Sequence, residues 1–363
     1  MYKVLLTAGT WNFIKNESNN FGKKSHLIEK MYHILKEEKD FSIDYFNGGN
    51  YEELSKLVEQ AKEYDVIFWM ANVPNELPKV RDVKKVNPFA IVIGSKRNHF
   101  DISQNKMEYT FVEILNKSLL QRNNLTIEFS KLKDSKIFKM LLFDPLGTSW
   151  YDGYDLNLLI KNMLDRIRFI MLIKRERTYS INETHPIPEN EEFFSYVRNV
   201  AEIFHKTIEH ADGVTRFLGN ASFKQGNKIY VTRRDVDKTL IDKNNFVECF
   251  LDNNKVFYYG ENKPSKDTVV QARLYNMFPN VNFIVHSHCY AKDGYFTKIP
   301  VPCGALDEID EIVKVIKNNY ENNYFLDNYK INLNGHGCIL LSNSVNLLKQ
   351  TEYITRHLPE YLK

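Results

Sequence analysis

The chain is 363 residues long, roughly twice the usual domain size of about 100 to 200 residues, so two domains are expected and a single small core is excluded. Its 43% hydrophobic and 26% charged residues, with 15 Gly and 11 Pro, exclude collagen-like, low-complexity and wholly disordered classes. Lys+Arg 49 against Asp+Glu 46 leaves a formal charge of +3, too small for a general nucleic-acid or membrane-surface field, so any anion site is local.

In chain order, the first half alternates short apolar runs with amphipathic stretches, the pattern of strands joined by crossover helices in a parallel sheet. Strands are predicted at Val4–Thr7, Ser42–Phe46, Asp65–Ala71, Ala90–Gly94, Thr126–Phe129 and Phe138–Phe143. Helical spacing falls at His26–Lys36, Tyr51–Lys62 and Tyr109–Leu120, giving a Rossmann-like α/β sheet. The longest apolar runs, such as Val66–Ala71, are far short of the ~20 residues needed to cross a bilayer, and a cytoplasmic protein is expected. A further helical segment, Leu156–Ile173, ends in Lys174-Arg175-Glu176-Arg177, and the polar, proline-containing stretch Asn182–Glu192 reads as a linker between domains 1–178 and 190–363.

The second domain opens with a predicted helix at Glu191–Glu209, followed by an antiparallel meander at Lys228–Thr232, Val247–Leu251 and Val256–Tyr259. Next come a helix at Asp267–Met277, a strand at Phe283–His286, a helix near Asp307–Asn318, a strand at Ile339–Leu341 and a last helix through Leu347–His357. Four cysteines, Cys249, Cys289, Cys303 and Cys338, contain no Cys-x-x-Cys pair, so free thiols are expected. His286 and His288 stand two apart at a strand end, where a period of two turns both side chains to one face. His336 follows in Asn334-Gly335-His336-Gly337, whose glycines allow close backbone approach. Three imidazoles with an open fourth position suit a catalytic zinc, although histidines at such spacing also serve as ordinary core or turn residues.

Pro264-Ser265-Lys266-Asp267, followed by His286-Ser287-His288 and preceded by Gly219-Asn220-Ala221-Ser222, resembles the class II aldolase family that also contains ribulose-phosphate 4-epimerases and the adducin head. Asn334-Gly335-His336-Gly337 resembles the segment that supplies that family's third zinc histidine. The resemblance covers about residues 190–363. It implies a class II aldolase-like α/β domain that binds Zn2+ through His286, His288 and His336. Asp267 then stands where the aldolases keep glutamate and the epimerases aspartate, either as proton carrier or at the metal.

The implied function is an aldolase, a carbon-carbon lyase acting on a small phosphorylated sugar-like substrate through an enediolate. A 4-epimerase and a non-catalytic scaffold are the alternatives. The resemblance further implies a homo-oligomer, a tetramer by analogy, with Tyr361 or Tyr353 as proton donor. Asn220, Ser222 and Ser265 are expected on the phosphate side of the pocket. Where the family has a neutral Pro-Ser-Gly turn, this chain has Arg233-Arg234-Asp235, so Arg233 or Lys266 is expected to grip the anion, or else to be solvated.

In the first half, Thr7-Ala8-Gly9-Thr10 reads as a strand-to-helix turn, with or without a nucleotide, although Gly-x-Gly-x-x-Gly is absent. Together with Asn20-Phe21-Gly22-Lys23 it faintly resembles the phosphopantothenoylcysteine synthetase type of Rossmann fold. Asp144–Gly153 reads as a polar loop after a buried strand, at a place where open sheets bind ligands or simply connect.

Overall fold

The computed structural model describes residues 1–12, 26–73, 80–99, 123–131, 137–144, 149–175, 178–205, 219–253, 255–299, 301, 304–320, 328–334 and 336–354. The predicted helix Tyr109–Leu120, the segment Asn20–Lys23 and Tyr361 lie outside the described residues. Contacts divide the chain into two compact units, with the division between Arg168 and Phe169.

Unit 1 contains β1 (Tyr2–Asn12), α1 (His26–Lys36), β2 (Phe41–Asn50), α2 (Tyr51–Gln60), β3 (Val66–Trp69), α3 (Val80–Val86), β4 (Ile91–His99), β5 (Leu125–Lys131), β6 (Phe138–Phe143) and β7 (Ser149–Gly153), and the division falls inside α4 (Leu156–Arg175). Its sheet runs β2-β1-β3-β4-β5-β6-β7. The first five strands are parallel, whereas β6 and β7 return antiparallel. The continuous apolar runs Val4–Leu6, Val66–Trp69 and Ile91–Ile93 are buried, as strands covered on both faces require. One covering layer is α2, whose Leu54, Leu57 and Val58 pack on Leu5, Ile67 and Val92. A capping box fixes its start, because the Asn50 side chain takes the Glu53 N–H while the Glu53 carboxylate takes the Asn50 N–H at 2.9 Å.

The expected turn at Thr7–Thr10 does not form. β1 continues to Asn12, irregular between Ala8 and Trp11, with Gly9 at φ +71° and Asn72 bonding to Gly9 and Trp11. The glycine therefore serves a kink in a strand, not a strand-to-helix turn. Of the expected loop Asp144–Gly153, residues 149–153 form edge strand β7, and Asp144 takes the Trp150 indole N–H at 3.1 Å.

Unit 2 contains β8 (Thr178–Ile181), α5 (Glu191–His205), β9 (Asn220–Gln225), β10 (Lys228–Thr232), β11 (Phe246–Asp252), β12 (Lys255–Tyr259), α6 (Thr268–Met277), β13 (Phe283–Ser287), β14 (Tyr290–Ala291), β15 (Tyr295–Phe296), α7 (Asp307–Asn319), β16 (Asn328–Leu333), β17 (Gly337–Ser342), α8 (Val345–Lys349) and β18 (Tyr353–Ile354). The main sheet runs β15-β16-β17-β13-β9-β10-β11-β12-β8. It is antiparallel except where β8 joins β12 and β15 joins β16. The meander read from the sequence is therefore the β10-β11-β12 run. The last helix is shorter than expected, ending at Lys349, because Tyr353–Ile354 instead pairs with β14.

Strand alternation sorts the core into two layers. Val231, Ile284, Ile339 and Leu341 pack with Val270 and Leu274 of α6 and Ile312 and Ile316 of α7. Their neighbours Tyr230, Val285, Cys338 and Leu340 pack with Phe193, Phe194 and Val197 of α5 and Leu348 of α8. His286, two residues after Ile284, is thereby directed to the α6/α7 side of the sheet. Among the described residues no helix is long and apolar enough to cross a membrane.

Candidate metal centre

β13 and β17 are antiparallel neighbours, with His286 opposite Ile339 and Ser287 opposite Cys338. The turn before β17 therefore returns His336 to the end of the strand that carries the other two histidines. Gly337 makes the approach possible: it sits at φ +120°, and a Cβ there would lie 2.1 Å from the Ser287 carbonyl oxygen. The ring centroids of His286 and His288 are 4.9 Å apart, those of His286 and His336 4.6 Å, and those of His288 and His336 5.1 Å. One ring nitrogen from each lies within 4.8 Å of the others, so the three form a group able to hold a metal ion.

The donor chemistry of His286 fits that use. Its Nδ1 lies 2.9 Å from the Cys338 carbonyl oxygen, which selects the tautomer with the proton on Nδ1 and leaves a lone pair on Nε2. That Nε2 is buried without a hydrogen-bond partner, a costly state for a polar atom that a metal bond would relieve. Burial lowers the pKa of His286 and so favours the neutral, ligating form. Asp267 and the Cys338 carbonyl act in the opposite direction, while Lys238 adds to the lowering.

Asp267 immediately precedes α6, yet its side chain does not cap the helix. Instead its carboxylate accepts the Asn220 side-chain N–H, and the Asn220 carbonyl in turn accepts from the Gln271 amide. Asn220 on β9 lies opposite His286 on β13, so one register position joins the carboxylate's support to the histidines. Ser265 orients the same corner, taking the Asp267 backbone N–H at 3.4 Å on its hydroxyl and the Thr268 hydroxyl at 2.6 Å on its carbonyl.

The other expected contacts fall differently. Ser222 is wholly buried and its hydroxyl pairs with that of Tyr275 at 3.0 Å. The Arg233 guanidinium donates to the Asn244 carbonyl at 3.1 Å and to Asn262 Oδ1 at 2.6 Å, tying two loops together. Lys266 is exposed. Tyr353 is partly buried, its hydroxyl 2.6 Å from that of Tyr196, and burial raises the pKa of both phenols. Cys249, Cys289 and Cys338 are free thiols.

Two charged groups near Asp267 carry no motif and were not legible in the sequence. Lys238, in a 3-10 turn after β10, is only 6% exposed. Burial pushes its ammonium down to about 8 against the opposing charges of Asp235, Asp267 and Asp237. Glu308, in the first turn of α7, is 5% exposed.

The sequence profile of the class II aldolase and adducin N-terminal domain matches residues 198–292. No curated protein sequence matches. Over the N-terminal half, the fold is similar to the DNA/pantothenate metabolism flavoprotein from Streptococcus pneumoniae, at 15% identity and TM-score 0.38, covering 46% of this chain and 97% of that one. The C-terminal part is similar to an L-fuculose 1-phosphate aldolase, at 15% identity and TM-score 0.31, covering 44% of this chain and 81% of that one. It is likewise similar to the l-fuculose-1-phosphate aldolase from Thermus thermophilus, at 14% identity and TM-score 0.28, covering 42% of this chain and 81% of that one. Residues 198–292 thus match the class II aldolase and adducin N-terminal domain, within a C-terminal part of aldolase-like fold that follows a Rossmann-like sheet.

Proposed function

We propose that the chain is a zinc-dependent aldolase that breaks a carbon-carbon bond beside the carbonyl of a small phosphorylated sugar-like substrate. The observation that carries this reading is the convergence of three histidine nitrogens, one of them a buried orphan, next to Asn220, which pairs with His286 across the sheet and donates to the Asp267 carboxylate. His286, His288 and His336 hold the ion, His286 through Nε2. When bound, zinc supplies a Lewis acid that polarises the substrate's carbonyl and adjacent hydroxyl oxygens. Asp267 takes the hydroxyl proton as the bonding pair passes into the carbonyl-bearing fragment. Asn220 and Gln271 hold that carboxylate in place. Ser265 and Lys266 meet the anionic end of the substrate, and Arg233 joins them only by releasing Asn244 and Asn262.

The aspartate at position 267 favours a second reading, a sugar-phosphate 4-epimerase, in which the same bond is broken and then re-formed on the other face. The protein is expected to be cytoplasmic and homo-oligomeric, a tetramer by resemblance, which the mass in solution checks. The deciding experiment is metal analysis of the wild type and of His288→Ala, with and without chelator, followed by a screen of phosphorylated ketoses and aldehydes. Stoichiometric zinc in the wild type, its loss in His288→Ala and chelator-sensitive cleavage support the reading. Stoichiometric zinc retained by His288→Ala overturns it.

A further inference from the structure

The first turn of α7 puts a second carboxyl group beside Asp267. Ile309, Ile312 and Ile316 of α7 pack on the sheet, and Glu308 and Glu311, each 5% exposed, are drawn under with them. The two glutamates are treated differently. Glu311 receives the Lys314 ammonium at 2.6 Å. Glu308 makes no ion pair among the described residues, and its Oε2 is buried without a hydrogen-bond partner. The Gly304 backbone N–H is hydrogen-bonded to its carboxyl group.

Gly304, at φ +76°, is packed against the candidate site, for a Cβ there would lie 3.2 Å from Asp267 Oδ1. The carboxyl groups of Glu308 and Asp267 therefore flank a single glycine. Burial first, and then the negative charge of Asp267, raise the Glu308 carboxyl well above the usual carboxylate range and favour its neutral form, against the Gly304 N–H, which favours the ion. Asp267 is the charged group that acts on Glu308, and the Asp267 charge also reaches Lys238 in the turn after β10 and His286 on β13. Two carboxyl groups in environments this unlike are suited to divide acid from base between them.

We propose that Glu308 is a second proton carrier of this site, returning a proton to the substrate after Asp267 has taken one. The inference rests on the reading of Asp267 given above. In cleavage, Asp267 accepts the hydroxyl proton as the carbon-carbon bond breaks and the aldehyde forms. The carbonyl-bearing fragment, which keeps the bonding pair, is protonated at carbon by Glu308. The two carboxyl groups thus exchange protonation states, and one proton passing from Asp267 to Glu308 resets them. No oxidant or further reactant is consumed.

The test uses the full chain loaded with zinc, as wild type, Glu308→Gln and Glu308→Asp, with dihydroxyacetone phosphate in D2O as the probe. Carbon-bound hydrogen exchange is followed by NMR, and the carboxylic-acid C=O band by infrared spectroscopy at neutral pH. The expected result for Glu308→Gln is wild-type zinc content, loss of the protonated-carboxyl band and about a 100-fold slower exchange, the size of a general acid contribution. Glu308→Asp, which restores an acid on a shorter arm, recovers part of the rate, and this separates proton transfer from loss of packing. Unchanged exchange in Glu308→Gln, or persistence of the band there, overturns the inference. A wild type that binds no zinc and exchanges nothing overturns the aldolase reading instead, and the second proton carrier falls with it.

Discussion

Replacing Lys238 with Met should flatten part of the pH dependence of the C-terminal unit's stability. Lys238 is buried at 6% exposure, and burial brings its pKa down to about 8 from the ordinary 10.5, with Asp235, Asp267 and Asp237 pulling the other way. In the unfolded chain the ordinary value returns, so between about pH 8 and 10.5 the unfolded state binds more protons and stability rises with pH. Below about pH 8 the whole penalty of a buried ammonium is present. Above 10.5 it is gone. At about 1.4 kcal/mol per pH unit, the interval corresponds to about 3 kcal/mol.

Urea titrations of metal-free protein across that range, read by protection of the buried thiols Cys249, Cys289 and Cys338, follow unit 2 specifically. Trp11, Trp69 and Trp150 all belong to unit 1, so tryptophan fluorescence follows the other unit. The wild type should gain about 3 kcal/mol relative to Lys238→Met from pH 8 to 10.5, because the methionine keeps the buried stem and removes only the titrating group. Parallel pH profiles for the two proteins would refute the assignment of Lys238 as a buried, depressed ammonium.

Asp267→Asn keeps the shape of the side chain and removes its charge. Zinc content should be unchanged and turnover should fall by about 100-fold, whereas a parallel loss of zinc measured by elemental analysis would make Asp267 a ligand. Gly337→Ala forces a Cβ to 2.1 Å from the Ser287 carbonyl at φ +120°, and should cost about 3 kcal/mol or more in denaturant titrations along with the metal. Limited proteolysis should cut first within Asn182–Glu192, which is largely exposed and irregular up to the start of α5. Because β8 stays hydrogen-bonded to β12, the fragments should co-elute until denatured, and resistance of this segment under conditions that cleave elsewhere would count against the predicted linker.

Periodic elements were the legible ones. α1 begins and ends where the amphipathic spacing of Ile28, Met31 and Leu35 places it, and β10 occupies the predicted Lys228–Thr232. β9 carries no strand signal in the sequence, because Asn220-Ala221-Ser222 has the composition of a turn. It is a strand because β10 and β13 pair with it on both sides, which is a tertiary fact. β16 buries Tyr329, Ile331 and Leu333 together with Asn332, and in the sequence its alternation is masked by the surrounding asparagines. The antiparallel return of β6 and β7 likewise depends on pairing partners and not on local pattern.

At the site, motif spacing pointed to the three histidines and to Asp267. Lys238 and Glu308 have no such spacing, and their environment is made by which helix covers which face. Arg233 shows the converse: a cation conspicuous in the sequence is engaged by loop carbonyls that only the fold brings near.

The contact between the His286 ring and the Cys338 carbonyl joins positions 52 apart in the chain. An ion shared by His286, His288 and His336 would therefore act as a cross-link, closing a chain segment that includes β14, β15, α7 and β16. Closing so long a segment has an entropic cost that grows only slowly with its length, and here β13–β17 pairing meets that cost before the ion arrives. Metal uptake should accordingly be a late event in folding, following long-range strand pairing. Once bound, the ion opposes separation of the two strands in proportion to the logarithm of its free concentration, so the amides of α7 and β16 should exchange with solvent more slowly in the loaded protein than in the stripped one.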